Sequence, residues 1–209
     1  MRHSAFFTEL ASHGDADSSW RAVTAGLVVL RLVDAWVEEG AAVVAADSWG
    51  VRSVRAAIED MPEGMPARTL LTGIVDALTS ARGGDLHAVA PRLMAYARSL
   101  DLDARWTLAA DVYDTILTHV HPVEDADVAV NALLRRGHCL RELGDHAAAT
   151  AVLGTAGEVA QRAGDMIGVL RARIGESKIL TARGNLPAAD ALLERTIADA
   201  SEQSLDEVR

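Results

Sequence analysis

Three short stretches carry residue types that could do chemistry. The first is Ala46-Asp47-Ser48-Trp49-Gly50, which follows the apolar run Ala41 to Ala46. It has the outline of a nucleophile elbow with Ala in place of the first Gly, a turn that lifts a serine hydroxyl from the end of a strand onto a helix. That chemistry needs a strand before the turn, a parallel sheet around it, and His and Asp partners on later loops. No sheet pattern surrounds it, so Asp47 or Ser48 reads as a helix cap. The second is His119-Val120-His121, followed by Glu124, Asp125 and Asp127. These are metal-compatible side chains, but two imidazoles on one turn with no second pair at metal spacing read as a solvated loop. The third is His138-Cys139, within a helical stretch, where Cys139 reads as a small buried hydrophobe and His138 lies on the opposite edge; no third group or oxyanion donor completes a dyad. No Gly-rich phosphate loop, His-Glu-x-x-His or dinucleotide fingerprint occurs. The expectation is a protein without catalysis, cofactor or metal.

The elements that must position any site are helices. The 209 residues are 50% hydrophobic and 4% aromatic, with a single Cys. Abundant Ala, Leu and Val with few strand-favouring aromatics lean to helix throughout. One Cys excludes a disulfide framework and a thiolate zinc cage. The longest apolar stretch, Ala22 to Val37, is interrupted by Arg31 and Asp34, and the N-terminus is too short in its apolar part for a secretory signal. A cytoplasmic protein with no membrane association is expected.

Apolar spacing places the helices. Trp20, Val23, Leu27, Leu30, Val33 and Val37 recur at three- and four-residue steps after Asp17 or Ser18, and stop at Gly40. Val51, Val54, Ile58 and Met61 form a second stripe, ended by two prolines and a glycine between Met61 and Pro66. Leu70, Leu71, Ile74, Val75 and Leu78 form a third. Gly83-Gly84-Asp85 separates it from Leu86, Val89, Leu93, Ala97 and Leu100. Beyond these lie Trp106 to Val120, Val128 to Leu143, the stretch up to Ala163, Met166 to Arg183 and Pro187 to about Gln203. The last turns are Gly144-Asp145, Gly164-Asp165 and Gly184-Asn185. In each, Gly accepts the left-handed conformation that ends one helix and the Asx side chain caps the next. Loops this short make neighbouring helices antiparallel.

Gly144-Asp145 and Gly184-Asn185 lie 40 residues apart, and Ala148-Ala149 falls in register with Ala188-Ala189. Self-similarity at that period signals a helical repeat. The unit Leu133, Gly137, Leu140, Gly144-Asp145, Ala149, Leu153 and Ala156 resembles a tetratricopeptide repeat (TPR), whose small residues mark close helix crossings. The next unit keeps Leu180, Gly184-Asn185, Ala189 and Leu193, with Ser177 and Thr196 where the family has Gly and Ala. The period exceeds the family's usual 34 residues, as in extended repeats of bacterial regulatory proteins. The resemblance covers about Leu86 to Arg209 and implies an all-α fold, a right-handed α-solenoid of antiparallel helix pairs. Residues 1–85 are then an N-terminal helical region of diverged repeats or a cap, and 86–209 the TPR-like repeats. Leu205 to Arg209 sits where a further repeat would begin, so a piece of a longer protein is expected.

Charge adds the functional expectation. A formal charge of -10 argues against a direct nucleic-acid binder. Yet Val128 to Leu143 carries Arg135, Arg136 and Arg141 against Glu142, and Met166 to Arg183 carries Arg171, Arg173, Lys178 and Arg183 against Glu176. Pro187 to Gln203 is acidic, with Asp190, Glu194, Asp199 and Glu202 against Arg195. In the resembled family first helices line a concave face, which places Asn131, Leu134, His138, Arg141, Arg171, Ile174 and Lys178 there. Their spacing independently makes each set one helical stripe. The expectation is a protein–protein or peptide interaction scaffold that takes a protein or acidic peptide on this concave surface. The alternative is a ligand- or partner-sensing segment of a larger bacterial transcriptional regulator.

Overall fold

The local signals build a chain of helices. The computed structural model describes residues 2–12, 18–80 and 86–206. Ten α-helices occur there: α1 (Ser4–Ser12), α2 (Ser18–Glu39), α3 (Trp49–Glu59), α4 (Pro66–Ser80), α5 (Ala90–Leu102), α6 (Trp106–His119), α7 (Ala126–Glu142), α8 (His146–Ala163), α9 (Met166–Ala182) and α10 (Leu186–Asp206). Single 3-10 turns lie at Ala41–Val44 and Leu86–Ala88. No strand occurs among the described residues, so the all-α expectation holds. Asp17 and Gly83-Gly84-Asp85, expected as cap and breaker, lie outside the described residues.

Two boundaries differ from the sequence reading. The stripe from Leu86 does not begin one helix: the chain makes a 3-10 turn, and α5 starts at Ala90 with a proline in its first turn. Pro91 lacks an amide hydrogen, which a first helical turn does not need and a helix interior would miss. Helix α1 lies in the region expected to be helical, but no apolar stripe placed it. Its one buried side chain is Phe6, too little to register as a stripe.

The chain divides into two compact units, Met1–His119 and Val120–Arg209. Helices α5 and α6 thus pack in the first unit, although the repeat resemblance groups them with α7 to α10. In the first unit α2 is central and packs against α1, α3, α4 and α6. Trp36, Leu30, Leu71, Ile74, Leu78, Leu93, Tyr96, Tyr113 and Ile116 are fully buried there. The turn from α5 to α6 places Ala104 at φ 57, with the Arg105 amide donating to the Leu100 carbonyl. A residue with a Cβ pays roughly 1–2 kcal/mol for that conformation.

In the second unit α7 packs on α8, α8 on α9 and α9 on α10, and α7 also meets α9. The turns between them are built as the Gly-Asx pairs require. Gly144, Gly164 and Gly184 have φ of 79, 72 and 76, and the next residue's amide donates back to Leu140, Ala160 and Leu180. The side chains of Asp145, Asp165 and Asn185 accept from the amides of Ala148, Gly168 and Ala188 at 2.9, 2.8 and 3.4 Å. Ala149, Leu153 and Ile179 form a buried cluster with Leu134 and Leu140 packed on it. Ser177 and Thr196, which depart from the repeat pattern, are buried, and their hydroxyls donate to the carbonyls of Ile174 and Leu192. No helix is long and apolar enough to cross a membrane among the described residues.

Candidate functional site

The residues expected on a concave face occupy α7 and α9, two helices in contact. On α7, Asn131 is exposed and its amide donates to the Asp127 carbonyl at 3.0 Å. Leu134 is half-buried against the Ala149–Leu153–Ile179 cluster and belongs in part to the core. His138 and Arg141 are also half-buried. The Arg141 guanidinium donates to His138 Nδ1 at 2.9 Å and pairs closely with Glu142. Arg141 is therefore neutralised within its own helix.

On α9 the picture is different. Arg171 and Lys178 are exposed and form no ion pair or side-chain hydrogen bond among the described residues. Between them Ile174 is 39% exposed, and one turn before Arg171 lies Ile167 at 66%. Positions 167, 171, 174 and 178 fall at i, i+4, i+7 and i+11, one face of a helix. The row joins two apolar side chains to two available cations about 10 Å apart along the axis. Ile167 was missed because only its exposure, not its type, distinguishes it from the core isoleucines. The other cation of α9, Arg173, pairs with Asp199 of α10. Burial pushes the Glu176 carboxyl up from its ordinary value, partly offset by Arg173.

The stretches with catalytic or metal outlines resolve differently. Ser48 caps α3: its hydroxyl accepts from the Val51 amide at 3.2 Å and donates to the Val43 carbonyl at 2.8 Å. The residues before it form a 3-10 turn, not a strand. His121 and Asp125 close a local turn, in which the His121 amide donates to the Asp125 carboxylate at 2.7 Å. Cys139 is buried.

His119 joins a network that the sequence did not reveal. Its Nε2 lies 2.7 Å from one oxygen of Asp34, whose other oxygen lies 3.0 Å from His3 Nε2. Arg2 also approaches Asp34, at 3.3 Å, and pairs with Glu38. On the other side of His3, Nδ1 is 3.5 Å from the Thr115 hydroxyl and 3.9 Å from Asp111. Asp111 accepts backbone amides at the start of α1, with Ala5 at 3.1 Å. Helix α1 is thereby tied to α2 and α6. Burial pushes the Asp111 carboxyl up, against the His3 ring and the backbone amides. For Asp34 burial also acts upward, but the hydrogen bonds and charge of His119 and His3 outweigh it and hold the carboxyl below its ordinary value.

That direction sets a pH dependence. A carboxyl with a depressed folded pKa contributes stability above the ordinary carboxylate range and loses it as pH falls through the folded value. Asp34→Asn is expected to cost about 1–3 kcal/mol at pH 7, because the side-chain charge is lost and one of the two buried imidazoles exchanges its carboxylate acceptor for an amide NH2. It should also flatten the acid limb of the stability curve, read by urea denaturation between pH 7 and pH 3. An acid limb as steep in the variant as in the parent would show that Asp34 does not carry it.

The residues around Asp34 line an open groove with Phe7, Arg31 and Glu39. Asp34 itself is committed to its imidazole and guanidinium partners. The α9 row, by contrast, keeps two cations without partners among the described residues beside two exposed isoleucines. Comparison with protein-family models, curated proteins and solved structures finds no match to this chain.

Proposed function

We propose that the chain is a TPR-like helical scaffold that binds a partner protein or acidic peptide through the α7/α9 surface, without catalysis. The observation that carries this reading is the α9 row: Arg171 and Lys178 have no partner of their own among the described residues, and Ile167 and Ile174 stand exposed beside them. Charge-assisted hydrogen bonds from the two cations suit carboxylates, and the isoleucines supply apolar contact. The repeated Gly-Asx turns and the 40-residue register support a stacked-hairpin architecture for Val120–Arg209.

The α7 cation has a lesser part, because Glu142 and His138 already engage Arg141. A fluorescein-labelled Asp/Glu-rich peptide with interspersed leucines should bind in an anisotropy titration at low salt and weaken as salt rises. Arg171→Glu with Lys178→Glu should weaken it at least about tenfold, the effect of about 1.4 kcal/mol, with helicity unchanged. Arg141→Glu should change affinity by less than about threefold, since little free charge is lost there. Equal affinity for the parent and the double variant would remove the α9 row from the function.

A further inference from the structure

We propose that the partner of the α9 row is α10 of a second copy of this chain. The inference rests on reading α9 as a docking surface and names what docks there. One flank of α10 carries Leu186, Asp190 and Ile197, all exposed, with the half-buried Leu193 between them, again at i, i+4, i+7 and i+11. It has the same spacing as Ile167, Arg171, Ile174 and Lys178, with an acid where α9 has an arginine. Leu186 and Ile197 are 55% and 65% exposed, more than an element packed on both sides would leave. Asp190 in this row and Glu194 beside it are exposed and form no ion pair or side-chain hydrogen bond among the described residues.

The two rows do not satisfy each other within one unit. Where α9 and α10 meet, the ion pair is Arg173 with Asp199, and Arg171 and Lys178 stay unpaired among the described residues. Each chain thus presents a basic-apolar row on α9 and, on α10, an apolar row of the same period with the acids Asp190 and Glu194 in it and beside it. Docking one against the other pairs Arg171 and Lys178 with Asp190 and Glu194 and covers four exposed aliphatic side chains. Opposite charge fixes the choice of surface and the register, and apolar burial supplies attraction that salt does not screen. Because the rows differ, the contact is heterologous, and every added copy brings a fresh pair of rows.

The test is light scattering with size-exclusion chromatography on the full chain, across concentration and at low salt. The parent should show a mass at least twice the 22.1 kDa of the monomer. Arg171→Glu/Lys178→Glu makes both rows acidic, and Asp190→Lys/Glu194→Lys makes both basic, so each variant alone should remain monomeric. Mixed in equal amounts they should associate again, since either row of one then complements a row of the other. All four positions are exposed, so circular dichroism should show the helices unchanged. A parent that stays at 22.1 kDa at every concentration, or variants that assemble as the parent does, would overturn the proposal. If the parent is monomeric and still binds the acidic peptide, self-docking fails and the docking surface stands; if it does neither, both fail.

Discussion

Leu153→Ala is expected to lower the stability of the second unit by about 2–5 kcal/mol. The side chain projects from α8 and is 3% exposed. Its branched end fills space left by two glycines on two other helices. A Cβ on Gly137 of α7 would lie 2.8 Å from Leu153 Cγ, and one on Gly175 of α9 would lie 2.9 Å from its Cδ1. One leucine therefore holds three helices at close approach, and its removal leaves a cavity that none of them can close without losing its other contacts. The converse change, Gly137→Ala, gains up to about 1 kcal/mol in helix propensity but forces Leu153 aside. Combined with Leu153→Ala it should cost less than the two changes summed, since the added methyl enters the space the leucine vacates. Urea denaturation followed by circular dichroism measures all three; a loss under about 1 kcal/mol for Leu153→Ala is too small for a filled three-helix junction.

Phe6→Ala should release α1 and cost about 3–5 kcal/mol in the first unit. Phe6 is fully buried and is the one buried side chain of its helix. It occupies a socket on α2 that exists because residue 26 is glycine: a Cβ there would lie 2.8 Å from Phe6 Cε1 and 2.3 Å from the Tyr96 hydroxyl. Burial pushes the Tyr96 hydroxyl's pKa well up, so it stays a neutral phenol in that socket. A nine-residue helix does not persist alone in water. With Phe6 gone, the helix loses its one fully buried side chain and depends chiefly on polar ties such as those of His3, Asp111 and the Glu9–Arg105 pair. Amide exchange across Ser4–Ser12 should accelerate at least about a hundredfold, the counterpart of about 3 kcal/mol. Exchange as slow as in the parent would place the anchoring of α1 elsewhere.

Both predictions concern close approaches that the sequence showed only in part. Gly137 and Ala149 stood out because the resembled repeat pattern expects small residues where helices cross, and both are buried. Gly175 and Gly26 carried no such signal: a glycine inside a helix looks the same whether a neighbour needs its space or solvent fills it. The α9 row was legible as a stripe with Arg171, Ile174 and Lys178, but its availability was not. On sequence Arg141 and Arg171 are equivalent cations. In the fold Glu142 and His138 engage the first, and no described residue engages the second.

That the described chain is helical, where most helices stop, and which Asx or Ser side chain caps the next could be read from residue order. Those outcomes depend on hydrogen bonds and apolar periods spanning fewer than about ten residues, which the order of residue types encodes directly. Only packing brings His3 and His119, 31 and 85 residues from Asp34, onto its carboxylate. Packing likewise makes Phe6 the anchor of α1 and sets which charges are left without partners among the described residues. Such pairings depend on how helix faces rotate and stack on one another, a choice made by the packing of the whole unit and carried by no short stretch of chain.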